Sequence, residues 1–222
     1  MKSPTPLESV PFVLAPRQSL ADQIADAIVE RIATGVLKSG ERLVETELAE
    51  WLSVSRVPVR EALKVLEVQG IAVAQASRGV AVADFGVERI RQVRELRLEI
   101  EKVIARQVGG RIGGSPSLAL QLDGIIDQME LASARCDAAG INRLDLEFHR
   151  TLCRMSENAT AAVLWDALAR HIRIIFGLET LNEANLRPVV EEHRLLKDAI
   201  LSNDAQSIYE ELRRHINGRK WT

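Results

Sequence analysis

The sequence predicts a mainly α protein, with an N-terminal winged helix-turn-helix followed by a C-terminal antiparallel all-helical bundle. Three observations predict it. Two short helical patterns meet at the tight connection Ser53-Val54-Ser55, and the second opens on arginines. The apolar period then switches from helical to β directly after Gly70. Beyond Phe85 every apolar pattern is helical, and the breaks between patterns are short.

Residues 1–16 read as a flexible arm with scattered prolines, and 17–83 as one DNA-binding unit. Ser19 caps a first helix whose Leu20, Ile24, Ile28 and Ile32 recur at helical spacing, and Gly35 ends it. Lys38-Ser39-Gly40 is a turn and Arg42-Leu43-Val44 a very short strand. Glu45 to Leu52 is a short helix, with Leu48 and Leu52 on one side.

Ser55 is suited to cap the next helix by accepting an orphan backbone N–H with its hydroxyl. Pro58 sits in the first turn, where its missing N–H costs little. Arg56 and Arg60 share a face, and Lys64 lies one turn on. Val59, Ala62, Leu63 and Leu66 form the opposite, apolar stripe, and Gly70 closes the helix. A helix with an apolar back and arginines near its N-terminus suits a DNA major groove, where arginine pairs with guanine or contacts phosphate. Ile71–Gln75 and Val80–Val82 then form a hairpin tipped by Gly79. A hairpin in that position is a wing, which brings Arg78 and Gly79 toward the DNA backbone or minor groove.

Residues 84–87 read as a linker and 88–222 as the bundle. Six helices are expected: Glu88–Val108 (apolar at Ile90, Val93, Leu96, Ile100, Ile104 and Val108), Ser117–Ala138, Asn142–Ser156, Thr160–Leu181, Asn185–Leu201 and Asp204–Asn217. Gly109-Gly110 and Gly113-Gly114-Ser115-Pro116 are read as breaks, and Gly140 as the end of the second helix.

The balance of 29 basic against 31 acidic residues argues against a polycation that coats nucleic acid, so any DNA contact must be local. No apolar run is long enough to span a membrane, and the N-terminus lacks the pattern of a secretory signal. Cys136 and Cys153 fit no disulfide or metal framework, and both read as small buried hydrophobes in a reducing cytoplasm.

All four histidines lie in the bundle. Asp145 and His149 are four apart on one helix, with His193 and His215 on two others. Three imidazoles and a carboxylate converging between helices suit Zn²⁺, Ni²⁺ or Mn²⁺. The spacing leaves open ordinary solvated or hydrogen-bonded histidines. It also leaves open a metal-dependent hydrolase.

Several motifs together resemble a known family. Arg42-Leu43, Glu47-Leu-Ala49, Val54-Ser-Arg-Val-Pro-Val-Arg-Glu-Ala-Leu63, Gly70 and Arg78-Gly79 resemble the winged-helix signature of the GntR superfamily. The bundle resembles the FCD effector domain of its FadR-like branch, with six helices as in the VanR-type subgroup. Asp145-Leu-Glu-Phe-His149, Glu192-His193 and His215 resemble the three-histidine, one-aspartate metal site of such domains, and Arg97-x-x-x-Glu101 matches a further family pattern.

The resemblance implies a cytoplasmic homodimeric regulator, usually a repressor. Its expected ligands are double-stranded operator DNA, one divalent metal ion per chain at Asp145, His149, His193 and His215, and a small carboxylate-bearing metabolite that releases the DNA. It places Arg42, Ser55, Arg56, Val57, Arg60, Lys64, Arg78 and Gly79 toward DNA. A regulator that senses metal alone is the alternative. Ser53 stands where the family often has glycine, and Thr46 where many relatives carry a DNA-contacting arginine. Arg97 is a candidate effector anchor, because a guanidinium clamps a carboxylate, or else a structural partner of Glu101. His171 is a second candidate effector contact, or else a packed helix histidine.

Overall fold

The computed structural model describes residues 19–76, 79–112, 116–181, 183 and 185–218. The arm at 1–16, Arg78 and the break at 113–115 lie outside the described residues. The order is α1 (Leu20–Ala33), β1 (Arg42–Leu43), α2 (Glu45–Leu52), α3 (Arg56–Val68), β2 (Ala72–Gln75) and β3 (Gly79–Val82). The bundle follows as α4 (Val87–Ile112), α5 (Pro116–Ala134), α6 (Ala138–Ser156), α7 (Ala159–Thr180), α8 (Arg187–Ser202) and α9 (Ala205–Asn217). The fold is therefore mainly α, with one small sheet as its wing.

In the N-terminal unit, the Ser19 hydroxyl accepts from the Asp22 N–H at 3.0 Å and starts α1. Ile24, Ile28 and Ile32 of α1 are buried with Val59, Ala62, Leu63 and Leu66 of α3. Ser53, between α2 and α3, holds φ 54°, the left-handed region that favours glycine. Ser55 occupies the N-cap position of α3, but its hydroxyl makes no capping bond, contrary to the expectation. Gly70 turns the chain out of α3 at φ 70°. The three strands are antiparallel in the order β1-β3-β2, with Arg42 opposite Ala81 and Ala74 opposite Val80.

The bundle corrects four readings. Helix α4 runs through Gly109-Gly110 rather than breaking there. A Cβ at Gly109 would stand 2.9 Å from Asn203 Oδ1 and 3.0 Å from the Ile200 carbonyl, so the glycine admits the α8–α9 turn instead of ending the helix. Helix α5 stops at Ala134, because Cys136 takes φ 53° and Asp137 caps α6 through the Gly140 N–H at 2.8 Å. Cys136 is accordingly exposed, whereas Cys153 is buried, and burial pushes its thiol up to about 12. The inner stripe of α4 contains Ile90, Val93, Arg97, Glu101, Ile104 and Val108, while Leu96 is 56% exposed. Among the described residues no helix is long and apolar enough to cross a membrane.

The two parts meet where α1 lies against α7. A Cβ on Gly177 would stand 2.6 Å from the Ala33 carbonyl and 2.7 Å from its Cβ, so this contact depends on glycine. Overpacking of this kind costs about 1–3 kcal/mol. Gly177→Ala should therefore lower the melting temperature, by about 2–4 °C per kcal/mol lost in a chain of this size. An unchanged thermal unfolding curve contradicts this packing.

Candidate functional site

Asp145 and His149 project from α6, His193 from α8 and His215 from α9, and all four are buried. One donor atom from each lies within 4.8 Å of the others. His149 Nε2 is 2.9 Å from His215 Nε2, and His193 Nε2 is 3.3 Å from Asp145 Oδ1. The outer nitrogens are held from behind. His193 Nδ1 donates to the Val189 carbonyl at 2.7 Å, which leaves Nε2 facing inward as an acceptor. His149 Nδ1 stands 2.9 Å from Glu101 Oε2. Glu101 in turn accepts from Arg97 Nε at 2.7 Å and from the Trp165 indole N–H at 2.8 Å. A carboxylate behind a ligating histidine sets ring orientation and raises its basicity.

Charge states suit a cation. Burial pushes the Asp145 carboxyl up, the charge on Arg97 works against it, and the net effect holds it well below the usual carboxylate range. Burial likewise opposes ionisation of Glu101, and Arg97 and His149 overcome it. Burial pushes His149 down, reinforced by Arg97 and opposed by Glu101. Burial pushes His215 well down, reinforced by the neighbouring His193 and His149. These shifts favour neutral imidazole at His149 and His215 beside an ionised Asp145, the protonation that metal ligands require. Both Asp145 oxygens and His193 Nε2 are buried without a hydrogen-bond partner. Such orphaned groups cost about 1–3 kcal/mol each, and a divalent cation satisfies all three. The residues fit a metal.

Beside the quartet lies a cavity of about 20 Å³ lined by Val93, Arg97, Asp145, Ile172, Ile175, Phe176 and His215. Arg97 pairs with Glu101 through Nε, and its Nη2, 3.9 Å from Asp145 Oδ2, makes no hydrogen bond. His171 does not line this cavity, and its surroundings are those of the packed helix histidine, the second of its two readings. Its ring packs 6.0 Å from Phe85 between the two parts of the chain, where burial and then Arg89 push it down to about 4. A larger cleft of about 590 Å³ between α5 and α8 is lined by Glu130, Ser133, Arg187 and Arg194. None of the quartet lines it, and its Arg194 is already paired with Glu130 at 2.5 Å.

Sequence reasoning named Glu101 only as a partner of Arg97 and did not name Trp165; their place behind His149 was missed. The signal for Glu101 was its spacing from Arg97, four residues on the same face. Nothing local pointed to Trp165.

In the N-terminal unit, Arg42, Glu45, Thr46, Arg56, Arg60 and Gly79 border a cleft of about 330 Å³. The wing and the start of α3 are thus brought together. Gly79 takes φ 80°, and Arg42 lies beside it. Val57 is 67% exposed. Arg60 donates twice to Glu45, at 3.0 and 2.9 Å, and Arg56 once at 3.2 Å. Those bonds hold the Glu45 carboxyl at about 2, the Arg60 hydrogen bond contributing most. Lys64 pairs with Glu61 at 3.0 Å. Exposed pairs of this kind add little stability. Glu45→Gln should therefore leave the melting curve nearly unchanged. It should tighten DNA binding severalfold by removing a charge that repels phosphate, as read by fluorescence anisotropy at low and high salt. Weaker binding would show instead that Glu45 orients the two arginines.

A winged helix-turn-helix joined to a helical domain with a buried aspartate–histidine cluster defines the class as a DNA-binding regulator with a second, all-helical domain. Comparison with known proteins narrows the class. Residues 20–82 match the bacterial regulatory proteins of the gntR family, and residues 92–218 match the FCD domain. The chain belongs to the GntR-family transcriptional regulators with a C-terminal FCD domain. It is 26% identical over 200 residues to the probable D-xylose utilization operon transcriptional repressor of Paenarthrobacter nicotinovorans, covering 90% of this chain and 87% of the relative. It is 28% identical over 180 residues to the gluconate operon transcriptional repressor of Bacillus licheniformis, covering 81% of this chain and 65% of the relative. The solved structure of McbR/YncC from E. coli superposes with a TM-score of 0.74 at 20% identity, covering 90% of this chain and 94% of that one, and shows the shared fold. The family and these relatives are DNA-binding transcriptional regulators, not enzymes.

Proposed function

We propose that this chain is a ligand-responsive repressor, released from its operator by a small organic acid bound at a metal-containing cavity. One observation carries the reading: a buried aspartate and three histidines converge, with orphaned acceptor atoms, in the domain attached to the winged helix. Asp145, His149, His193 and His215 hold one divalent cation per chain, with Zn²⁺, Ni²⁺ and Mn²⁺ matching the donor set. The bound cation supplies an electrophilic position for an anionic ligand. Arg97 lies at the cavity wall with an unpartnered nitrogen, placed to clamp a carboxylate. Glu101 and Val189 fix the rings of His149 and His193.

Residues 17–83 serve as the DNA-reading unit and 88–222 as the effector and dimerisation unit, in a cytoplasmic homodimer whose two recognition helices read two half-sites. Arg56 and Arg60 read base edges. Arg42, Ser55, Val57, Lys64, Arg78 and Gly79 contact the backbone or the wing side. The names of the relatives place them at operons for D-xylose utilization and gluconate, consistent with a regulator of carbon metabolism.

Elemental analysis of protein purified without chelator or a nickel column should find about one ion per chain. A metal-free protein with an intact fold overturns the assignment. The small size of the cavity favours a second reading, a regulator that responds to metal alone. Operator release by metal alone, set against metal plus carboxylates, separates the two.

A further inference from the structure

Helix α7 has two occupied faces. On its inner face Ile172, Ile175, Phe176 and Glu179 wall the cavity beside Asp145 and His215, and the Trp165 indole reaches Glu101. At about 100° per residue, Arg170, Ile174 and Gly177 fall on the opposite side. There Arg170 donates from Nε to Asp26 at 2.8 Å, from Nη2 to Asp22 at 3.1 Å, and from Nη1 to Gln69 at 3.1 Å. It therefore ties α7 both to α1 and to the end of α3. Arg173 pairs with Glu30 of α1, Ile174 is fully buried, and Gly177 meets Ala33. The linker residue Phe85 is buried under the same helix, beside His171.

The cavity on the inner face is about 20 Å³, room for one or two water molecules. An organic acid is several times larger. Close-packed walls give by moving as units rather than by yielding continuously. The wall across from α7 is tied by the Arg97–Glu101 pair and the quartet; the α7 wall presents Ile172, Ile175 and Phe176, and is tied to α4 by the Arg94–Glu179 pair and by the Trp165 indole on Glu101, bonds that a displaced α7 must also give up.

We propose that α7 is the lever of the switch: a ligand seated beside the quartet displaces α7, breaking the Arg170 and Arg173 bonds to α1 and releasing the DNA-reading unit from the bundle. The inference rests on the reading of that cavity as the effector site. It places the coupling at α7 rather than in α4, the helix that follows the linker directly. The ligand drives the change only by its greater affinity for the released arrangement. Arg170 is a positioning residue, without contact to ligand or DNA.

The test needs no ligand, because Ile175→Phe adds volume to the cavity from within. Full-length wild type, Ile175→Phe, Arg170→Ala, the double variant and Leu164→Phe, an exposed control on α7, are digested briefly with chymotrypsin. Cleavage after Phe85 is followed by mass spectrometry, with metal content and melting curves measured on the same samples. Ile175→Phe and Arg170→Ala should each be cut about tenfold faster than wild type, because cleavage tracks the open population. The control should match wild type. The double variant should be cut faster than either single, toward the product of the two factors, because two changes that weaken one closed arrangement add in free energy. Wild-type resistance of Phe85 in a folded Ile175→Phe, or in Arg170→Ala, overturns the lever, as does a double variant cut only as fast as the two single rates summed, the mark of two separate openings. Should Ile175→Phe not fold, Ile172→Phe from the same wall takes its place. Coupling in a metal-free protein refutes the metal reading and keeps the lever; a metal-loaded protein without coupling refutes the lever alone.

Discussion

Replacing His149 with alanine should abolish metal binding and lower the stability of the metal-loaded protein by about 4 kcal/mol, the contribution of a ligand present at a thousandfold its Kd. Of the four proposed ligands, His149 has the most support behind it. Its Nε2 faces the quartet, its Nδ1 faces Glu101, and it is buried beside Trp165. Chelation distinguishes loss of metal from loss of packing. A chelator should bring the wild-type melting curve down toward that of the variant, and leave the variant itself unmoved. A His149→Ala protein with a full metal complement refutes the ligand assignment.

The second large effect is expected at the start of α3. Arg56→Ala with Arg60→Ala should weaken operator binding by about thirtyfold to ten-thousandfold and relax base preference within each half-site, because each base-reading arginine contributes about 1–3 kcal/mol. The two share Glu45, so their effects need not add. Both side chains are more than half exposed, and their ion pairs contribute little to the fold. A loss of binding with an unchanged melting curve therefore reports on DNA contact. Unchanged affinity and unchanged specificity in the double variant contradict the assignment of α3 as the reading helix.

Much of this fold is local in origin and so was legible in the chain. Ser19, Gly35, Gly70 and Gly79 each mark a boundary that the structure places at or next to them, because caps and left-handed turns depend on neighbouring atoms alone. Asp145 and His149 stood out for the same reason, being one helical turn apart. What escaped is long-range. On α4 the apolar stripe holds at Ile90, Val93, Ile104 and Val108, and Ile100 packs partly buried against the core, but Leu96 is exposed and the middle of the inner face belongs to Arg97 and Glu101, two opposite charges buried together behind the quartet. Gly109 looked like a helix breaker, and its reason is the turn at Asn203, almost a hundred residues away. The cap at Asp137 was hidden by Gly140, which reads as a terminator and is in fact the residue whose N–H that cap binds. His171 and Arg170 sit next to each other and face the DNA-reading unit, a fact about two domains that no single helix pattern contains.

The central claim is that an anionic ligand, held with the help of a metal at the quartet, controls DNA binding. It is tested most directly by titrating small carboxylates into the full-length protein bound to its operator, with and without prior chelation, and following fluorescence anisotropy. The account predicts that at least one carboxylate releases DNA from the metal-loaded protein and that chelation, or His193→Ala, abolishes that release. Release that is indifferent to chelation, or produced equally by metal without any carboxylate, would contradict it.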